Sequence, residues 1–379
     1  MIYADNAATT QISDLAYEAM IPFLRYEYGN ASSQYMFGSK AKRAIERARL
    51  QTADAIGANP AEIFFTSGGS ETNSWVLGGV TDLYSDGPIH IITSSIEHSS
   101  VLNTCYELEG KGVDLTYLPV SNDGVISAED IKAAIRPNTK LVSIMLANNE
   151  IGTIQPIAEI GAYLRGQGIL LHTDAIQAVG HIPVDVEELN VDFLSASAHK
   201  FNGAKGTGFL YKRSGTILPN MVFGGSQEQG LRAGTENTAG IVALGVAIEE
   251  GASVLKNEQI RINELTRRTI EGLRLSIPGI SVNGEHAIRL PNILNITIPK
   301  VSGESLLHLL DLKGICISTS SACNAGKDEP SHVLLALGLS EEQAKSSIRI
   351  SYGRYNTERE VEQIVEAIVD AYRKIVECQ

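Results

Sequence analysis

Cysteine is scarce. The four in 379 residues are Cys105, Cys316, Cys323 and Cys378. No two form a CxxC pair, and so sparse a set excludes a disulfide-stapled scaffold. No metal site is assigned. Basic residues are outnumbered, with 31 Lys and Arg against 44 Asp and Glu, a net charge of −13. An acidic surface repels a phosphate backbone, which argues against direct nucleic-acid binding as the main task. No apolar run approaches the roughly 18–20 residues of a membrane helix, so no membrane attachment is expected. The opening MIYADNAATT lacks a basic stretch followed by an apolar core, so no secretory signal is read there. Internal repeats and low-complexity stretches are also missing. These absences predict a soluble, reduced, cytoplasmic protein.

Hydrophobic residues make up 43% and charged residues 20%, the balance of an ordinary globular chain. The length exceeds what one core usually holds. We expect a large domain over residues 15–255 and a smaller α+β domain built from 1–14 with 256–379. Residues 40–57 read as an amphipathic helix ending at Gly57. Apolar runs follow at EIFFT (62–66), IHIIT (89–93), LVSIML (141–146), ILLHT (169–173), DFLSAS (192–197) and GFLYK (208–212). Helix-length segments between most of them predict a mostly parallel sheet covered by helices on both faces. A long helical pattern spans about 238–276. Beyond it the order is strand (NILNITIP), helix, polar loop (STSSACNAGKDEPSH), strand (SSIRISYG) and helix.

Open α/β sheets bind ligands at the carboxyl ends of their strands. Those ends carry SGGSET, SSIEHSS, ANNEIG, DAIQAVG and AHKFNGAKGTG. SGGSET (67–72) combines glycines with a helix start, which suits a phosphate, although an ordinary strand-to-helix turn looks the same. Asp174 either caps the next helix or holds a proton on a heteroaromatic nitrogen, with Gln177 reaching the same ring. His98 is a core histidine or stacks on a flat cofactor. Lys200, between a buried strand and a glycine-rich loop, is placed to be partly desolvated and to form a Schiff base, with Lys205 as a rival. Phosphate cradle, ring-nitrogen Asp and Schiff-base Lys together describe a pyridoxal phosphate site. Arg349 in SSIRISYG suits a substrate carboxylate, with Arg354 as runner-up. Cys323 lies in a loop of small polar residues. Cys316, between Ile315 and Ile317, reads as core; Cys105 falls on a helix and Cys378 near the end of the chain.

These residues, in this order, resemble the cysteine desulfurases of the NifS/IscS type, within the class V aminotransferase group of fold-type I pyridoxal phosphate enzymes. The resemblance runs from YADNAATT (3–10) to SIRISYGRYNTERE (347–360). It is carried most specifically by HTDAIQAVG (172–180), SAHKFNGAKGTGFLY (197–211), RAGTEN (232–237) and SSACNAGKDEPSHV (320–333). It implies an α/β fold with a mostly parallel seven-stranded sheet in the large domain. It makes Lys200 the Schiff-base lysine, pairs Asp174 with the pyridinium nitrogen and Gln177 with the ring hydroxyl, and stacks His98 on the ring. Asn149 is implied to contact cofactor and substrate. Gly69, Ser70, Ser197 and His199 are implied to hold the phosphate, and Arg349 the substrate carboxylate. Thr235 is implied to reach the phosphate of a second subunit, hence a homodimer. Cys323 is implied to take sulfur from L-cysteine as a persulfide and pass it to an acceptor protein, an iron–sulfur scaffold or a tRNA-thiolation relay. A selenocysteine lyase or an aminotransferase of the same fold is the alternative. Two departures stand out: Ser70 replaces the usual Thr and keeps its hydroxyl, and Tyr35 replaces a usual His.

Overall fold

The computed structural model describes residues 1–319 and 329–377. Strand β1 is Ile2–Tyr3. The next seven strands build the large sheet: β2 (Ile63–Thr66), β3 (His90–Ser94), β4 (Asp114–Leu118), β5 (Thr139–Ser143), β6 (Leu170–Asp174), β7 (Phe193–Ser197) and β8 (Gly208–Lys212). Their order is β2-β8-β7-β6-β5-β3-β4. Only β8 runs against its neighbours β2 and β7; the other pairs are parallel. Every residue of β2, β3 and β7 is buried, as helices on both faces of a parallel sheet require. β4, at one edge of the sheet, escaped the sequence reading because it is mostly unburied. Of DLTYL only Leu118 is buried, so the apolar signal is diluted by Asp114 and Thr116.

This order places a topological switch in the sheet. From β3 the chain moves outward to β4, whereas from β5 it moves the other way to β6. The carboxyl ends of β3 and β5 therefore open a crevice. Residues 95–98 and 144–149 border it, and the ends of β6 and β7 lie beside it.

The remaining strands are β9 (Ser281–Val282), β10 (Ile293–Thr297), β11 (Ile315–Cys316), β12 (Ser318–Thr319) and β13 (Ser347–Ser351). An antiparallel sheet has the order β12-β13-β10-β9. Helices Gly303–Asp311 and Glu358–Glu377 accompany it, and Leu306, Ile364 and Ile368 join Leu294, Ile296, Ile348 and Ile350 in a core of their own. β1 pairs in parallel with β11. The chain then crosses toward the large sheet, where the Thr10 amide donates to the His199 carbonyl at 2.8 Å.

Helix Thr238–Ser276, 39 residues long, joins the two cores. Its first turns bury Ile241, Leu244 and Ala247 in the large core, and its later turns bury Ile262, Leu265 and Leu273 in the small one. A Cβ on Gly245 would lie 2.6 Å from the Ala48 Cα, so glycine there permits the close crossing with helix Met36–Ala55. By length and composition this helix passes for a membrane span, which qualifies the expectation from the sequence. Over half of its most apolar stretch is buried inside the molecule, as in a core helix.

The segment preceding this helix is pinned by a buried ion pair. Arg49 Nη1 and Nη2 donate to the two carboxylate oxygens of Glu228 at 2.8 and 3.0 Å. Glu228 also accepts the Phe65 amide at 2.9 Å. Glu228 and Gln229 adopt φ values of 46° and 56°, a costly conformation for residues with side chains that the surroundings must enforce. Arg49→Met should strand the Glu228 carboxylate and lower stability by about 3–5 kcal/mol. Denaturant midpoints of the two proteins measure it, and a loss of less than about 1 kcal/mol would refute the assignment.

Candidate active site

One end of the site begins where β2 stops. Gly68, at φ 150°, turns the chain into the 15-residue helix Gly69–Leu83, and no side chain caps its first amides. A Cβ on Gly208 would lie 2.8 Å from the Gly68 Cα and 2.5 Å from the Ala196 carbonyl oxygen, so this turn packs directly on β8. The open amides, with the positive end of the helix dipole, favour an anion. A cleft of about 350 Å³ lies against them, lined also by Thr9, Ser70, Ser197, His199 and Lys205. The acidic Glu71 in this turn is tied to Arg232, whose Nε donates to its Oε1 at 2.8 Å. Burial pushes the His199 imidazole down to about 4, with the charges of Lys200 and Lys205 adding to the effect; it is therefore neutral near pH 7.

A deeper cavity of about 180 Å³ adjoins this cleft. It is lined by Gly69, Ser70, His98, Met145, Ala147, Asn149, Asp174, Ile176, Gln177, Ser197, His199 and Lys200. Nine positions singled out in the sequence thus meet in one place. Asp174 ends β6 and is 5% exposed. Its Oδ1 accepts the Ile176 amide at 3.0 Å and its Oδ2 accepts from Asn73 Nδ2 at 2.7 Å. Burial raises its pKa, opposed by His98, by these donors and by Lys200. The capping reading fails: Asp174 caps no helix, since the next one, Val186–Leu189, is capped by Asp185, and Asp174 Oδ1 holds the turn after β6 instead.

His98 is the N-cap of helix Ser99–Gly110. Its Nδ1 accepts the Ser100 amide at 3.1 Å and lies 2.8 Å from the Ser100 hydroxyl. Burial lowers its pKa, while the Asp174 carboxylate works the other way. Lys200 Nζ donates to the carbonyls of Ala7 and Ala8 at 2.6 and 2.8 Å. Gln177 Nε2 donates to the same Ala7 carbonyl at 3.0 Å. The N-terminal segment thus holds two lining side chains, Lys200 and Gln177, through its backbone carbonyls.

Arg349, on β13, does not line the cavity. It is 4% exposed, with Nη1 on the Asn149 carbonyl at 2.9 Å and Nη2 on Asp5 Oδ1 at 2.8 Å. Arg354, its rival, pairs with Glu250 at 2.7 Å. Thr235 is exposed and lies outside the cavity of its own chain. Cys323 and Cys378 lie outside the described residues. Cys105 is fully buried, and burial pushes its thiol up to about 12. Cys316 departs from the core reading. Ile315 and Ile317 are buried, but strand alternation leaves Cys316 half-buried. Tyr35 is 61% exposed. The sequence reading missed Asn73, Ser100 and Asp5; Asn73 alone carried a signal, one helical turn beyond Gly69 and Ser70.

Comparison with known proteins agrees with this geometry. The model of the class-V aminotransferase family matches residues 2–364. The cysteine desulfurase IscS of Methanosarcina thermophila is 48% identical over 374 residues, covering 99% of this chain and 92% of that protein. A solved NifS-like protein superposes with a TM-score of 0.92 at 38% identity, over 97% of this chain and 98% of that one. A solved structure described as SspA in complex with cysteine has a TM-score of 0.84 at 39% identity, over 94% of this chain and 100% of that one. With Asp174, Lys200 and the Gly69 turn gathered on one cavity of this fold, the chain belongs to the class-V aminotransferases and, among them, to the cysteine desulfurases of the NifS/IscS type.

Proposed function

We propose that this protein binds pyridoxal 5′-phosphate and converts L-cysteine to L-alanine, leaving the sulfur as a persulfide on Cys323. The observation that carries the proposal is the grouping of an uncapped helix N-terminus, a buried carboxylate and a lysine amine on one cavity. The residues fit the cofactor. The glycine turn with Ser70, Ser197 and His199 would hold its phosphate. Gln177 Oε1, buried and without a partner among the described residues, is a polar atom left for the ring. Asp174 would face the ring nitrogen, and His98 would lie against the ring. When bound, the cofactor supplies an electron sink for the charge left on the substrate α-carbon.

The chain's own groups then have distinct tasks. Lys200 would hold the cofactor and would take the α-proton of the substrate. Asp174, whose charged form the Asn73 and Ile176 donors favour against its burial, would hold a proton on the ring nitrogen. Asn149 borders the substrate. Arg349, braced by Asp5, receives the substrate carboxylate from the small-domain side. The Cys323 thiolate attacks the substrate sulfur. The carbon–sulfur bond breaks and a sulfur–sulfur bond forms, so one cysteine and one thiol yield one alanine and one persulfide without an external oxidant. The segments flanking this cysteine support its role. Ser318 of β12 lies opposite Arg349 of β13, and the Ser331 hydroxyl donates to Glu150, next to Asn149, at 2.5 Å.

The persulfide would pass to an acceptor protein, an iron–sulfur scaffold or a tRNA-thiolation relay. The protein would act in the cytoplasm as a homodimer. Exposed Met221, Val222 and Phe223 adjoin the segment leading to Thr235, through the bridge between Val222 and Arg232. An apolar strip of this kind suits a second copy that accepts Thr235 at its phosphate end.

Loaded with the cofactor and reduced with borohydride, the Lys205→Ala protein should yield a lysyl adduct at Lys200, and Lys200→Ala should yield none. An adduct at Lys205 would overturn the assignment. Cys323→Ser should keep cofactor binding and lose alanine formation by at least ~100-fold, because a hydroxyl is a poor nucleophile and sulfur carrier. Mass mapping of the persulfide to Cys105 or Cys316, or wild-type turnover in the mutant, contradicts this. Sedimentation should show a dimer at micromolar concentration; an active monomer there would exclude the shared site.

A further inference from the structure

The two titratable groups that border the cavity on different elements, Asp174 at the end of β6 and His98 before helix Ser99–Gly110, are joined by a third element. Asn73, on helix Gly69–Leu83, is completely buried. Its Nδ2 donates to Asp174 Oδ2 at 2.7 Å and to the Ser100 hydroxyl at 2.9 Å. An ionised carboxylate only accepts, so the amide orientation is determined by this contact. Because His98 Nδ1 accepts the Ser100 amide at 3.1 Å and so carries no proton, the Ser100 hydroxyl 2.8 Å away is the donor of that pair, and its lone pairs stay available to Asn73. Two donors on Nδ1 leave it no proton of its own, so a neutral ring carries its proton on Nε2, the nitrogen remote from them.

We propose that Asn73 is a positioning residue: it steers the Asp174 carboxylate with one amide hydrogen and, through Ser100 with the other, locks His98 in the Nε2–H form. His98 then presents a hydrogen-bond donor to the cavity and cannot act as a base through Nε2. The charged or titratable groups that act on His98 are Asp174 on β6, Lys200 after β7 and His332 on helix His332–Ala336. Burial first, then Lys200 and any charge on His332, whose own imidazole burial also pushes toward neutrality, disfavour the imidazolium, in line with the lock; among the described residues Asp174 favours it. The catalytic consequence rests on the proposed cofactor site. The tautomer does not, so the two fail separately.

The test uses the ¹⁵N-histidine-labelled full chain with pyridoxal phosphate bound and no substrate. The His98 signal is assigned by its loss in His98→Asn. The wild type should show protonated Nε2 and bare Nδ1 from about pH 6 to pH 8. Asn73→Ala should populate the Nδ1–H form. It should also move the acid limb of kcat/KM upward by about one pH unit, because Asp174 loses a donor that favours its charged form. Ser74→Ala, a neighbour on the same helix bonded to Thr104, should alter neither. If Asn73→Ala does not fold, Ser100→Ala decides, with the same sign and a smaller shift of the tautomer. A protonated Nδ1 in the wild type refutes the proposal. So does an unchanged tautomer in both variants, whatever their melting temperatures.

Discussion

A carboxylate kept in a dry place organises this molecule. Burying Asp174 disfavours its charged form, and an ionised carboxylate away from water persists only with donors and positive charge around it. Those arrive from separate elements. The Ile176 amide comes from the turn after β6, Asn73 from the helix after β2, and the opposing influence of His98 and Lys200 from the loops after β3 and β7. Each depends on the order of strands in the sheet. The switch between β3 and β5 opens the crevice, and the neighbouring β6 and β7 turn their carboxyl ends into it.

The opposite end of the site obeys the complementary rule. There the unsatisfied groups are amides, left by an uncapped helix start, and they favour an anion. A site with a buried carboxylate at one end and open amides at the other discriminates by charge along its length. The lysine between them is held on two backbone carbonyls of the N-terminal segment. That segment pairs with β11, bridges Ser351 of β13 through Asp5 and reaches His199 beside the large sheet within ten residues, so it ties the small sheet to the candidate site.

Much of this was legible in the chain. The runs at 62–66, 89–93, 169–173, 192–197 and 208–212 became strands within a residue or so, because buried strands are apolar throughout. The run at 141–146 ends three residues beyond β5; Ile144 and Leu146 still donate to β6 carbonyls from within the core, and Met145 lines the cavity. His98, Asn149, Asp174, Gln177 and Lys200 were legible because each stands just beyond the carboxyl end of a strand, where α/β sheets place their ligands. β4 was missed because only Leu118 of its five residues is buried, so Asp114 and Thr116 break the apolar run. Cys316 was misjudged because two flanking isoleucines say nothing about the alternate face of a strand.

The sequence by itself determined the kinds of elements, the strand ends that bear reactive groups, and the family resemblance, since these are written in short-range periodicity and motif spacing. Tertiary structure alone decided which of those groups meet. Asn73 reaches Asp174 across 101 positions, Lys200 reaches Ala7 across 193, and Arg349 reaches Asp5 across 344. Two of these contacts involve a backbone carbonyl or a neutral asparagine. Local pattern cannot announce such partners, because a backbone carbonyl has no identity in the sequence. A buried polar side chain acquires its role only when the fold removes water and leaves it one partner to bond.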